Sequence, residues 1–357
     1  MKHLTLFAGL FCLSQSAVAQ KPAGSLQLFA ADNPLFQYTG RIDFSRPKMP
    51  RYWMPGVYVK ARFTGNSCIV LINDEMLYGN FHNYVEIVVD DQKPVRLRLT
   101  GKQNEIEAAK GLSSGEHTIV ICKNTEAGIG FIEFAGLKCR SLKRLPAKPV
   151  RTIECIGNSI TCGTGSDQSE IPCGKGLWQD QHNAYMSYGA VTARNLHAQY
   201  QLSSVSGIGL MHSCCNLKII MPQVFDKINM RADSIAWDFK NYIPDVVTIC
   251  LGQNDGIRDS VIFCTNYTDF IKQVRMQYSK ANIVCLTSPM ADAKLVAVMK
   301  NYLTAIVNTC NRAGDKKVTA FFFSKRYHNG CDGHPDLEEH QEIANELTGC
   351  IKKLKHW

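Results

Sequence analysis

The stretch RTIECIGNSITCGTG, residues 151–165, decides how the second half of the chain folds. Its apolar run 153–156 reaches Gly157 and stops at two polar residues, Asn158 and Ser159. An apolar run that ends in a glycine and a polar pair predicts a buried strand followed by a turn. Asparagine and serine are also favoured helix caps. This stretch alone therefore leaves Ser159 equally open to a capping role and a nucleophilic role.

The rest of the second half repeats the pattern of apolar strand and helix. Further apolar runs are QLSSVS (201–206), DVVTICLG (245–252), NIVCLTS (282–288) and VTAFFFS (318–324). Helical stretches are predicted at about 184–199, 263–279, 292–312 and 336–353. Strands that are apolar throughout and alternate with helices predict an α/β domain with a parallel sheet covered on both faces. In such sheets function gathers at the carboxyl ends of the strands.

The first half has a different rhythm. Between residues 25 and 139, short alternating runs such as GVYVKARF (56–63) and HTIVICKN (117–124) are separated by turn-rich pieces. This pattern predicts an antiparallel, jelly-roll-like β-sandwich. A basic segment with two prolines then reads as a linker. We therefore divide the 357 residues into a sandwich domain at 20–140, a linker at 141–150 and an α/β domain at 151–357.

The first nineteen residues are predicted to be a cleavable signal peptide. A basic start, a short apolar core and an Ala-Val-Ala cleavage site are typical of secretory signals, and the core is too short to span a bilayer. No later segment approaches the length of a membrane helix, and Cys12 lacks the small residues of a lipoprotein signal. We expect a soluble, exported protein, periplasmic or secreted, with no membrane partner.

The formal charge of +9 is spread along the chain, and only the tail IKKLKHW is densely basic. A nucleic-acid partner would require clustered basic residues or a recognised motif, so none is expected. Fourteen cysteines remain after the signal peptide, with no CxxC pair and no zinc-type spacing, so no metal is expected. Most of them are predicted to be buried thiols. Cys162 and Cys173 are candidates for a disulfide, but the sequence leaves the connectivity open.

The other strand ends carry candidates for the same site. Gly207 and Gly209 follow the second strand, where either serves a turn or exposes a backbone N–H. Asn254 follows the third strand, either as a turn residue or as an amide donor to a developing oxyanion. Its neighbour Asp255 is expected to support that turn.

A histidine precedes the final helix. His334 stands in DGHPD, either as a loop residue near a helix cap or as a general base. His328 and His340 compete with it, and the helical spacing of His340 favours a structural role.

Taken in order, these four features resemble the four blocks of the SGNH (GDSL-type) hydrolases. Ser159 in GNSIT, Gly207 in SGIG, Asn254 in GQND and His334 in DGHP look like those blocks. With a sandwich in front, the chain resembles carbohydrate esterase family two, the acetyl esterases of plant polysaccharides. The resemblance implies a flavodoxin-like three-layer domain after the sandwich. It also implies a nucleophile at Ser159, a base at His334 and oxyanion donors at Ser159 N–H, Gly207 N–H and the Asn254 side chain, without a cofactor.

The resemblance departs from the usual pattern at the triad acid. That acid stands three residues before the histidine in the superfamily, and here the position holds Cys331. Some family members use a Ser–His dyad whose histidine is held by a main-chain carbonyl. We expect that arrangement, with Asp332 orienting His334 through its carbonyl or its side chain.

The expected activity is removal of O-acetyl groups from acetylated xylan or glucomannan. The long insert after Ser159 contains Trp178, a candidate sugar-stacking surface that is equally open to a packing role. Two alternatives are a hydrolase of lipid or other short-chain esters and a non-catalytic carbohydrate-binding protein. The sequence predicts neither the oligomeric state nor the position of the acetyl group removed.

Overall fold

The computed structural model describes residue 1 and residues 26–357. All but the first residue of the predicted signal peptide, including Cys12, therefore lies outside the described residues. Within residues 26–357, no helix is both long and apolar enough to cross a membrane.

The first domain is a β-sandwich. Its strands, in chain order, are β1 (Gln27–Ala30), β2 (Gln37–Thr39), β3 (Arg51–Tyr52), β4 (Tyr58–Thr64), β5 (Cys68–Asp74), β6 (Tyr84–Val89), β7 (Val95–Arg98), β8 (Gln103–Ala109), β9 (Glu116–Lys123), β10 (Ile132–Cys139) and β11 (Ser141–Lys143). One sheet has the order β1-β10-β5-β8, with β3 beside β10. The other has the order β11-β4-β9-β6-β7, with β2 beside β4. The pairings within both sheets are antiparallel, as the alternating runs predicted.

Two details of the sandwich differ from the sequence prediction. Strand β8 was not predicted, because its sequence QNEIEAA is polar at positions that face solvent and carries few strand-favouring residues. Strand β11 lies inside the predicted linker and pairs with β4, so the sandwich extends to Lys143. The two prolines of the segment follow β11, where they do not interrupt a ladder.

The second domain contains a five-stranded parallel sheet. The elements, in chain order, are β12 (Arg151–Gly157), α1 (Ser159–Cys162), α2 (Tyr188–Asn195), β13 (Ala198–Ser204), α3 (Met221–Val224), β14 (Lys227–Asn229), β15 (Ser234–Ala236), β16 (Val246–Cys250), α4 (Ser260–Gln277), β17 (Asn282–Leu286), α5 (Ala293–Arg312), β18 (Val318–Phe321) and α6 (Leu337–Lys355). The sheet order is β13-β12-β16-β17-β18, the doubly wound flavodoxin-like order. Strands β14 and β15 form a separate hairpin.

Both faces of this sheet are buried, which explains why central strands such as β16 and β17 are mostly apolar. Ile153 and Cys155 pack with residues of α2 and α6 on one face. Ile156 and Ile283 belong to the core that includes residues of α4 and α5 on the other. The three-layer prediction is therefore confirmed. Three of the predicted helices begin close to the predicted positions, but α2 is shorter than the predicted 184–199, because the chain enters β13 at Ala198.

A buried ion pair joins the sandwich side of the molecule to the first strand of the parallel sheet. Glu154 lies within the apolar run of β12, and its Oε1 accepts a hydrogen bond from Arg41 Nη2 at 3.0 Å, with both side chains fully buried. Gln201 and Ser203 of β13 also donate to this oxygen. A buried carboxylate requires such partners, so this contact fixes the two parts of the chain against each other.

Candidate active site

Ser159 lies where β12 ends and α1 begins. The side chain of Asn158 caps the helix by accepting a hydrogen bond from Ile160 N at 3.2 Å, so the capping role belongs to Asn158 and leaves Ser159 Oγ free. Gly157 permits the sharp turn, because a Cβ there would lie 2.0 Å from Thr161 Oγ1. Only 9% of Ser159 is exposed. The local sequence therefore presents the hydroxyl at the carboxyl edge of the sheet.

The hydroxyl of Ser159 meets the imidazole of His334. Ser159 Oγ and His334 Nε2 are 2.8 Å apart, and His334 Nδ1 is 3.0 Å from the Cys331 carbonyl oxygen. A carbonyl can only accept, so this contact requires the proton to be on Nδ1. Nε2 is then the acceptor for the serine hydroxyl, which is the geometry of an activated nucleophile.

The group that orients His334 differs in detail from the expectation. The acceptor for Nδ1 is the main-chain carbonyl of Cys331, not that of Asp332. Asp332 is exposed, stands at φ +53° in a short 3-10 turn, and makes no hydrogen bond to His334. Burial lowers the pKa of His334, and the charge of Asp332, acting at longer range, offsets only part of that effect. Cys331 thus fills the usual position of the triad acid with its backbone rather than its side chain.

Replacing Asp332 with asparagine is expected to keep kcat within roughly threefold of wild type, because an exposed charge contributes little. Asparagine also tolerates the left-handed backbone at this position. Initial rates on an acetyl ester, beside His334→Ala, measure this effect. A loss as large as that of His334→Ala would show that the carboxylate is required.

Burial favours the neutral form of His334, because it lowers the pKa of the imidazole. It lowers the pKa of His334 below the ordinary 6.5, and the hydrogen bond to Cys331 and the charge of Asp332 oppose this effect only in part. A base must be neutral to accept a proton, so kcat/KM is expected to rise with pH through an inflection below 6.5 and to be level at neutral pH. A pH series on an acetyl ester tests this sign. An inflection above about pH 7 would contradict it, because the pKa of His334 would then be higher than that of an ordinary histidine.

Two backbone N–H groups that follow the ends of β12 and β13 are available as donors. Neither the N–H of Ser159 nor that of Gly207 donates to an acceptor within residues 26–357. Gly207 stands at φ +80°, the left-handed region that favours glycine. Gly209 N, the competing candidate, donates to Ser213 Oγ at 3.0 Å and is therefore occupied. The geometry thus favours Gly207 over Gly209 as a donor.

Asn254 is attached to the same segment. Its Nδ2 donates to the carbonyl of Ile208 at 2.8 Å, which uses one of its two hydrogens, and the other has no acceptor among residues 26–357. Asp255 is buried, and its carboxylate accepts hydrogen bonds from the backbone N–H groups of residues 210–212 at 2.7–2.9 Å. Asp255 therefore holds the loop after Gly207. The sequence predicted only that it supports the turn at Asn254.

The competing histidines lie elsewhere. His328 is exposed, and His340 is fully buried in α6, where its Nδ1 accepts from Tyr188 N at 3.1 Å. Burial lowers the pKa of His340 to about 3, so it stays neutral. Among the three histidines of this region, only His334 contacts Ser159 Oγ.

The insert between α1 and α2 is joined covalently to the histidine loop. A disulfide links Cys173 to Cys331, so the suggested Cys162–Cys173 pair is wrong. Cys162 is instead a buried thiol 3.2 Å from Ser204 Oγ. It lies buried in α1, whereas Cys173 lies in an exposed turn. The prediction of buried thiols in the strands is confirmed for Cys155, Cys250 and Cys285.

Trp178 lies on the same insert, in a 3-10 turn, and 45% of its surface is exposed. Its ring meets the buried His182 ring edge-on, with centroids 4.3 Å apart. The Trp178 ring therefore packs against His182 and still leaves part of its surface exposed to solvent. Within residues 26–357, no three His, Cys, Asp or Glu side chains form a group that could hold a metal ion.

Comparison with known proteins matches both domains of the chain to esterase and hydrolase families. Residues 38–149 match the Carbohydrate esterase 2 N-terminal family, and residues 155–327 match the GDSL-like Lipase/Acylhydrolase family. The solved structure of a family two carbohydrate esterase from Clostridium thermocellum in complex with cellohexaose superposes with a TM-score of 0.82. It is 32% identical to this chain, over 90% of this chain and 99% of the other.

Two relatives carry names that describe their activities. Cellulase/esterase CelE from Acetivibrio thermocellus is 35% identical over 341 residues, which span 91% of this chain but only 40% of that protein. Acetylxylan esterase / glucomannan deacetylase from Cellvibrio japonicus is 27% identical over 365 residues, which span 99% of this chain and 98% of the relative.

A sandwich followed by a flavodoxin-like domain with a serine and a histidine at the carboxyl edge of its sheet defines a carboxylic ester hydrolase of the GDSL type. The chain belongs to carbohydrate esterase family two.

Proposed function

We propose that the protein is an exported serine esterase that removes O-acetyl groups from plant cell-wall polysaccharides such as acetylated xylan or glucomannan. The observation that carries the proposal is the 2.8 Å contact between Ser159 Oγ and His334 Nε2. The name of the Cellvibrio japonicus relative supports the substrate class. The signal-like pattern of residues 1–19 supports export.

In this mechanism, Ser159 Oγ attacks the acetyl carbonyl carbon while His334 Nε2 takes the hydroxyl proton. The negative charge that develops on the carbonyl oxygen is stabilised by the N–H groups of Ser159 and Gly207 and by the free Nδ2 hydrogen of Asn254. As the tetrahedral species collapses, His334 returns the proton to the sugar oxygen that leaves. A water activated by His334 then hydrolyses the acetyl-serine and releases acetate.

Among the residues that the structure describes, no carboxylate lies at hydrogen-bonding distance from the imidazolium formed in each half-reaction. The Cys331 carbonyl holds Nδ1–H with its dipole, so the protein works as a Ser–His dyad. Trp178 is proposed to stack with a sugar ring through its free surface, because an aromatic face suits the apolar face of a pyranose.

Acetate release from acetylated xylan and acetylated glucomannan tests the proposal, with Ser159→Ala as the control. Release by the wild type and none by the variant is expected. Binding of these polysaccharides without acetate release would support the alternative of a non-catalytic carbohydrate-binding protein. NMR of the product would locate the acetyl group that is removed.

A second assay separates acetyl esterase activity from lipid-type hydrolysis. The acetyl p-nitrophenyl ester is expected to be turned over faster than the octanoyl ester. Faster turnover of the octanoyl ester would contradict the proposed substrate class.

A further inference from the structure

Cys331 carries several constraints within a single residue. Its carbonyl oxygen accepts from both His334 Nδ1 and His334 N, each at 3.0 Å. Its N–H donates to the Gly165 carbonyl at 2.8 Å, and its sulfur is bonded to Cys173. The acceptor that orients the imidazole is therefore attached on its far side to the insert.

We propose that the Cys173–Cys331 disulfide positions the base for catalysis by holding the carbonyl that orients His334. This inference rests on the proposed role of His334 as the general base. Cys173 is then a positioning residue, because it acts on the reaction only through Cys331 and His334.

The turn that carries the carbonyl is short, and a few backbone hydrogen bonds and the disulfide hold it in place. Residues 331–333 form one 3-10 turn, in which Asp332 stands at φ +53° and Gly333 at φ +70°. Outside that turn, Gly330 N donates to the His334 carbonyl at 2.7 Å. A triad carboxylate can rotate to follow its histidine, but a carbonyl moves only with its backbone. The position of the imidazole thus depends on the position of the turn.

The insert provides the fixed end of this connection. Gln181 Nε2 donates to the carbonyls of residues 171, 172 and 175 at 3.0–3.3 Å, which holds the turn around Cys173. Asp180, the residue before it, accepts from Tyr84 OH at 3.0 Å and lies 2.7 Å from His82 Nε2, both in the sandwich domain. Arg96 of the sandwich donates to the Asp180 carbonyl at 2.8 Å.

A continuous series of contacts therefore joins the sandwich to the base. It runs from the sandwich through residues 180–181 to the turn around Cys173, and from there through the disulfide to His334. Cys173 is exposed, so a small dithiol reductant can reach this disulfide. A reductant thiolate attacks one sulfur and breaks the S–S bond, and the second thiolate closes the reductant into a ring. Two protein thiols and one cyclic disulfide result.

Cys173→Ala is expected to lower kcat on an acetyl ester about tenfold with KM changed less than about twofold, since small misplacements of a base are costly in rate. Cys331→Ala keeps the carbonyl but loses the bond, so it is expected to lose as much. The double variant is expected to lose no more than either single one. Wild type treated with dithiothreitol should fall to the same rate, and reductant should leave the rate of Cys173→Ala unchanged.

A destabilised control separates positioning from loss of stability. Ile306→Ala removes a fully buried side chain in α5 and is expected to lower the melting temperature but not kcat, when rates are measured well below that temperature. A similar fall in kcat for Ile306→Ala would overturn the proposal, because destabilisation alone would then suffice. If Cys173→Ala does not fold, the reduced wild type, checked by circular dichroism, gives the same test.

Ser159→Ala in the same assay distinguishes failure of the proposed function from failure of the positioning role of the disulfide. If this variant is inactive and both Cys173→Ala and the reduced wild type keep the wild-type kcat, the positioning role of the disulfide is wrong and the proposed function stands. If Ser159→Ala keeps the wild-type rate, the proposal of a serine esterase fails, and the positioning role of the disulfide fails with it.

Discussion

Replacing Ser159 with alanine is expected to lower kcat on acetyl esters by on the order of 10⁴-fold or more, because the covalent route is lost. His334→Ala is expected to be similarly low, since the serine hydroxyl at 2.8 Å then has no base. The two losses are not additive, because both residues serve a single step. Initial rates of the two single variants and the double variant measure the effect.

The matched control is Ser279→Ala, an exposed serine after α4. It is expected to keep the wild-type kcat. The Ser159→Ala variant should still bind acetylated polysaccharide, because only one oxygen atom is removed from the site. Activity of Ser159→Ala close to that of the control would contradict the assignment of the nucleophile.

Replacing Asn254 with alanine is expected to lower kcat by about 10²–10³-fold, the usual effect of removing one oxyanion donor. The side chain is already anchored to the Ile208 carbonyl at 2.8 Å, so its second hydrogen is fixed in direction before the substrate binds. Such a donor acts on the charge that forms in the transition state. The loss should therefore fall on kcat, with KM changed little.

The control for Asn254 is its neighbour Gln253, which carries the same amide group one residue away. Gln253→Ala is expected to stay within about threefold of the wild-type kcat, as for an ordinary substitution outside the site. A rise in KM for Asn254→Ala with an unchanged kcat would contradict this assignment. It would show that the amide binds the ground state and does not act in the oxyanion hole.

The layers of the fold follow from patterns that the sequence displays directly. Strands such as β16, VVTIC, are apolar at nearly every position because both faces of the sheet are covered, and this pattern needs no knowledge of distant contacts. Strand β8 shows the limit of this reasoning. Its glutamates alternate outward from a sheet edge, and only the pairing with β5 reveals the strand.

The residues at the strand ends were predictable for a related reason. The parallel register aligns Gly157 with Ser204 and with Cys250, so residues shortly after each strand meet at one edge. Ser159, Gly207 and Asn254 are all placed in this way. The choice between Gly207 and Gly209 required the structure, because it depends on which N–H is already hydrogen-bonded.

The residue that supports His334 differs by one position from the prediction. Asp332 was expected to orient His334 through its carbonyl or its side chain, whereas the acceptor is the carbonyl of Cys331. A main-chain carbonyl has no sequence signature, so the sequence does not show which of the two residues supplies it. The one available signal was the cysteine at the position usually held by the triad acid. Its disulfide partner lies 158 residues away in sequence, and disulfide connectivity over such a distance depends on the tertiary fold.

The most direct test of the account is to trap the intermediate on Ser159. Wild-type protein mixed with an excess of acetyl ester and quenched in acid within one turnover should yield a peptide containing Ser159 that carries one acetyl group, identified by mass spectrometry. Ser159→Ala should yield no acetylated peptide at any position. Acetate release by the wild type without an acetyl group on Ser159, or with one on another residue, would contradict the central claim that Ser159 is the nucleophile.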